Sequence, residues 1–136
     1  MPHRKILIAL SLFTAAGNTL YLVRFFGVLP PEPVVYGYVP WFMSFTLSNT
    51  FIVLVAWVLS FSLLKKIDTL AVLSGLLVSG GLIFHGLNGL MFGFYTGYLQ
   101  TMSFNAIFEI AVYAYGLALA AFYVVQFWAV VRGGVK

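Results

Sequence analysis

From Trp41 to Leu64 the chain runs for 24 residues without a charged side chain. A helix needs roughly 20 mostly apolar residues to cross a bilayer core of about 30 Å. The run is therefore long enough to span a membrane. Three more stretches are long enough: the apolar run Ile6 to Val23, extended to about Leu29 with Arg24 near its far end, Leu70 to Phe94, and Ser103 to Val131 with Glu109 inside it. Backbone in hydrocarbon must satisfy its own hydrogen bonds, and for segments of this length that means helices. The expected fold is an all-α integral membrane protein with one domain over 1–136. Four transmembrane helices at about 6–29, 41–64, 70–94 and 103–131 form an up-down-up-down bundle.

Composition excludes the main alternative. Only 7% of the residues are charged and 62% are hydrophobic, whereas a soluble domain carries charge on about a quarter of its residues. Cysteine is absent, which removes disulfides, thiolate metal sites and cysteine nucleophiles. The net charge of +4 is no nucleic-acid footprint, because the basic residues sit at the ends of apolar runs, where anionic lipid headgroups attract them. With four spans, Arg4, Lys5, Lys65, Lys66, Arg132 and Lys136 share one side and Arg24 alone takes the other. Basic loops face the cytoplasm, so both termini are expected there, with the plasma (inner) membrane as the location.

The connections differ in kind. Pro30, Pro31, Pro33 and Pro40 bound an extended stretch that reads as a plain connector or a short lid over the bundle, since proline removes backbone donors. Lys65, Lys66 and Asp68 form a short charged turn, and Tyr95 to Thr101 an uncharged one. Ser103 is placed to cap the last helix through its hydroxyl.

The stretch Gly80 to Gly93 is the expected centre of the bundle. It holds five glycines with His85 and Asn88 three residues apart, hence on one helix face. Gly86, Gly89 and Gly93 should let another helix approach closely. Counting about 1.5 Å per residue from each helix end puts Asn88, Glu109, Asn49, His85 and Asn18 all in the outer half. Stripes at helical spacing agree: Ser11, Thr14, Asn18 and Tyr21 on the first helix, and Asn105, Glu109, Tyr113, Gly116, Ala120 and Tyr123 on the last. The candidate polar cluster or ligand pocket is Asn18, Tyr21, Asn49, His85, Asn88, Glu109 and Tyr113, with Arg24 and Glu109 as an ion pair closing it between the first and last helices. Taken singly, each of these has a plainer reading, since polar side chains in membrane helices often only bridge neighbours at about 0.6 kcal/mol.

No catalytic residue or metal site is singled out, and no cofactor is expected. Haem could use His85 only if a dimer supplied two ligands. The favoured reading is a non-enzymatic polytopic protein, either a subunit or accessory of a membrane complex or a small bundle that binds an apolar or amphipathic ligand in an outward-facing polar pocket. A small proton-coupled transporter or channel using Glu109 is the alternative. A membrane enzyme acting on a lipid-like substrate with His85 and Glu109 is the third. The expected partners are the lipid bilayer and either other membrane subunits or a second copy of the chain, with no nucleic acid.

Overall fold

A computed structural model describes residues 3–27, 39–96 and 104–133. Among these residues there are four helices and no strand: α1 (Arg4–Gly27), α2 (Val39–Leu64), α3 (Asp68–Thr96) and α4 (Phe104–Gly133). Each is long and apolar enough to cross a membrane. The helices extend past the apolar runs at several ends because helical hydrogen bonding does not stop where charge begins. α1 starts at Arg4 and α3 at Asp68. α2 starts one residue before Pro40, which costs nothing there, since the first four N–H groups of a helix have no intrahelical partner. The proline-rich stretch before it, Ser103 and Lys136 lie outside the described residues.

Consecutive helices run antiparallel and pack in chain order, α1 on α2, α2 on α3, and α3 on α4. The α2–α3 turn is short because α2 ends in a double hydrogen-bonded cap. Ile67 N donates to Ser62 O at 2.9 Å and Lys66 N to Leu63 O at 3.4 Å, with Lys66 in the left-handed region at φ 59°. This is the Schellman arrangement, which usually places glycine where Lys66 stands. Arg4 fastens the same end: its guanidinium donates to Leu63 O at 2.9 Å and to Asp68 Oδ1 at 2.7 Å. Asp68 also opens α3, where the helix dipole favours an anion.

The α3–α4 seam is the closest. A methyl group added at Gly86 would meet the backbone of Tyr113 at 2.9 Å, and one at Gly116 would meet Ile83 N at 2.9 Å. Added methyls at Gly75 and Gly89 would overlap the Tyr123 ring and the Glu109 carboxyl. Each step up α3 is matched by a step down α4, so small residues of one helix receive large ones of the other. On the opposite flank of α3, Gly81 faces Ile52 and Phe51 of α2. The apolar core, including Ile52, Ala56, Leu59, Leu63, Val78, Leu82 and Tyr123, lies along these seams. Within its apolar span α3 is 56% buried inside the bundle and α4 only 11%, which makes α3 the central element.

One seam is different. Among the described residues no Cα–Cα pair between α1 and α4 comes within 8 Å, so these helices face each other without backbone contact. A side-chain hydrogen bond joins them between Thr14 Oγ1 and Tyr115 Oη at 2.8 Å. The Thr14 hydroxyl already donates to Leu10 O at 2.8 Å, so its one hydrogen is used and Tyr115 is the donor in the bridge.

Candidate functional site

The buried polar residues divide by depth. In the half of the bundle nearest Arg4 and the α2–α3 turn, the buried serine and threonine hydroxyls among the described residues are all bonded. Ser62, Ser74 and Ser79 donate to carbonyls of their own helices at 2.6 to 2.7 Å. Ser11 bonds Ile8 O, and Ser60 Oγ lies 3.1 Å from Ser11 Oγ across the α1–α2 seam. Such side chains add no unpaired group to the interior.

The far half is built otherwise. His85 is 2% exposed, and its Nδ1 lies 3.0 Å from Ser48 Oγ on α2. The Tyr21 ring of α1 meets the imidazole edge-on, with centroids 6.2 Å apart. Next to Ser48, Asn49 is 1% exposed, and both of its amide atoms lack a hydrogen-bond partner. Asn88 and Glu109 are each 7% exposed, and Asn88 Nδ2 and Glu109 Oε2 likewise have none. These four atoms are all the buried side-chain nitrogens and oxygens left unpaired among the described residues. A buried polar group without a partner costs about 1–3 kcal/mol, so four in one place call for an explanation.

Their level in the bundle follows from the contacts. Ser48 touches His85, Tyr21 touches His85, Gly86 faces Tyr113 and Gly89 faces Glu109. Asn49 follows Ser48, and Asn88 precedes Gly89. At 1.5 Å per residue these positions fall within a slab roughly 6 Å thick, to which all four helices contribute. Tyr21 lies within electrostatic range of Glu109 across the α1–α4 seam. Asn18 stands apart, lower on α1, with its Nδ2 donating to Thr14 O at 2.8 Å.

Gly86 and Gly89 are both buried against α4, and Tyr113 serves chiefly as the wall that Gly86 meets. The surroundings of Gly93 and the side chain of Arg24 lie outside the described residues, and the Arg24–Glu109 pairing with them. The Glu109 carboxyl is folded over Gly89 of α3, a contact that counting along α4 alone does not reveal. Sequence reasoning also passed over Ser48, Tyr115 and Gly75. Ser48 had a signal in its position, since Asn49 beside it was already a candidate. His85, enclosed by Ser48 and Tyr21, is not presented on the lipid-facing surface. Among the described residues no three His, Asp or Glu side chains are grouped to hold a metal ion.

Fold and site together define an all-helical, four-helix chain of membrane-spanning composition with a buried polar slab in one half. Comparison with family models, with curated proteins and with solved structures gives no match for this chain.

Proposed function

We propose that this protein is a non-enzymatic, four-span membrane protein, with both termini cytoplasmic, that binds an apolar or amphipathic ligand in the outer half of its bundle. The observation that carries this reading is the concentration of all four orphaned polar atoms in one slab, at Asn49, Asn88 and Glu109. Groups serving only to bridge helices would be paired across a seam, as Ser60 and Ser11 are in the opposite half. Orphaned donors and acceptors in a low-dielectric interior destabilise the free protein and reward whatever satisfies them. Six of the seven basic residues on one side support the orientation.

The same slab supports a second reading, a small proton-coupled carrier. Glu109 is the one carboxyl deep in the bundle among the described residues, and an intramembrane carboxyl commonly marks an ion or proton path. A carrier needs water to reach Glu109 from both sides, and the bonded, close-packed half beneath it favours the binding reading.

The test is purification in mild detergent followed by mass spectrometry of the released small molecules and co-purifying proteins. A stoichiometric small molecule, lost in an Asn88→Leu variant, is the expected result. Proton-dependent flux in proteoliposomes without any retained molecule would favour the carrier instead.

A further inference from the structure

The orphaned atoms are not all of one kind. Asn49 Nδ2 and Asn88 Nδ2 are donors, while Asn49 Oδ1 and Glu109 Oε2 are acceptors when the carboxyl is ionised. A bare cation in the slab would face two N–H2 groups, and a simple anion would face an amide oxygen and a carboxyl. A head carrying both a donor and an acceptor a few ångströms apart suits the set better than either.

The way in is narrowed by packing. The α3–α4 seam is closed by Gly86 and Gly116 against backbone, the α2–α3 seam by Gly81 against Ile52, and the α1–α2 seam by Ser11 and Ser60. Among the described residues no Cα pair between α1 and α4 comes within 8 Å, and Thr14 and Tyr115 are hydrogen-bonded across the gap. Tyr21 lies seven residues beyond Thr14, roughly 10 Å further along the helix. Counted along α1, the slab therefore stands above this bridge, beside a seam whose backbones are held apart. On α4, Val112 and Leu119 share a face with Tyr115 and pack on or within the apolar core, giving the seam an apolar flank.

We propose that the slab is the head-group site for a single-chain bilayer amphiphile, a hydroxy-ester or hydroxy-amide, which arrives sideways from the membrane through the α1–α4 seam. The head exchanges hydrogen bonds with Asn49, Asn88 and Glu109, and the chain lies along Val112 and Leu119. This rests on the ligand-binding reading above and adds to it the class of ligand and its route.

The experiment uses the full chain in phosphatidylcholine vesicles with a diazirine-bearing monoacylglycerol as the probe. A diazirine hydrocarbon of the same length without a head is the control. Photolabelling of the unaltered chain, mapped by mass spectrometry, should concentrate on peptides of α1 and α4, and Asn88→Leu should lower it about tenfold, the equivalent of one lost hydrogen bond. Route is tested in a Thr14→Cys, Tyr115→Cys double variant. Its Cα atoms are too far apart for a disulfide, which needs about 4.4–6.8 Å, so a bis-maleimide closes the seam. Labelling that persists without the cross-linker and disappears with it supports the route. Equal labelling in both, or adducts mapped mainly to α2 and α3, overturns it. Labelling no stronger than that of the headless control overturns the ligand class. A different molecule retained through mild-detergent purification would then leave the binding reading standing, and the absence of any retained molecule would remove both.

Discussion

The two halves of the bundle hold comparable numbers of buried polar residues and treat them in opposite ways. Near Arg4 and the α2–α3 turn they are hydroxyls, small and bonded to carbonyls of their own helices, and the rim is tied by Arg4 to Leu63 and Asp68. In the far half they are larger, His85, Asn49, Asn88 and Glu109, and three of the four carry unpaired atoms. A serine in a membrane helix can satisfy itself on its own backbone, as Ser62, Ser74 and Ser79 do, and then needs nothing from outside. Asparagine and glutamic acid present more hydrogen-bonding capacity than one helix can absorb. The first half is a frame, and the second leaves hydrogen-bonding capacity unused within the chain.

The largest effect that could upset this contrast is all-or-none. Reporter fusions after Lys66 and after Lys136 should both report cytoplasm, given the distribution of basic residues. An external signal at either would turn the polar half toward the cytoplasm.

Next comes the seam that crosses both halves. Gly86→Ala should cost about 3 kcal/mol in detergent unfolding, at the upper end of overpacking losses, because the new methyl meets Tyr113 backbone that cannot step aside. Gly80→Ala, with nothing within 4 Å of the added methyl, should be neutral or stabilise by up to about 1 kcal/mol. Equal losses at the two positions would show that α3 is not the element against which the others pack.

Smaller effects probe the frame. Arg4→Met should cost about 1 kcal/mol, the scale of a partly exposed pair, and the loss should shrink in high salt as screening weakens the Asp68 contact. Lys66→Gly should stabilise by roughly 0.5–1 kcal/mol by relieving a left-handed residue. Destabilisation at Lys66 in the same assay would mean that the lysine side chain holds the turn.

Much of the frame could be read from the residues. Runs of apolar residues located all four helices to within a few residues, because lipid-spanning length and the need to satisfy backbone groups leave little choice. The ends moved where composition and hydrogen bonding part company, as at Arg4, Asp68 and Pro40. Counting depth also assigned Asn49, His85, Asn88 and Glu109, together with Asn18, to one half of the bundle. What spacing could not supply was lateral arrangement. Periodicity along α1 and α4 says which faces are polar, not how far apart the helices stand, so an up-and-down order suggested direct neighbours where the structure keeps their backbones apart. For the same reason the mating of Gly75 with Tyr123 and of Gly89 with Glu109 was hidden, because it depends on the register between two helices. Ser48 was missed although it adjoins Asn49, because its role depends on the lateral placement of His85, which spacing along one helix does not give.

The claim that the polar slab serves a ligand, with stability sacrificed for it, is tested most directly by the unfolding of Asn49→Leu in delipidating detergent. Ser74→Ala, which removes a self-satisfied hydroxyl from the opposite half, is the reference. Leucine is close to asparagine in size and removes two orphaned buried atoms, so the variant should be more stable than the parent by about 1–3 kcal/mol, while Ser74→Ala changes little. A loss of about 1 kcal/mol or more in Asn49→Leu, a typical hydrogen bond's net worth, would show that Asn49 holds the bundle together and would contradict the account.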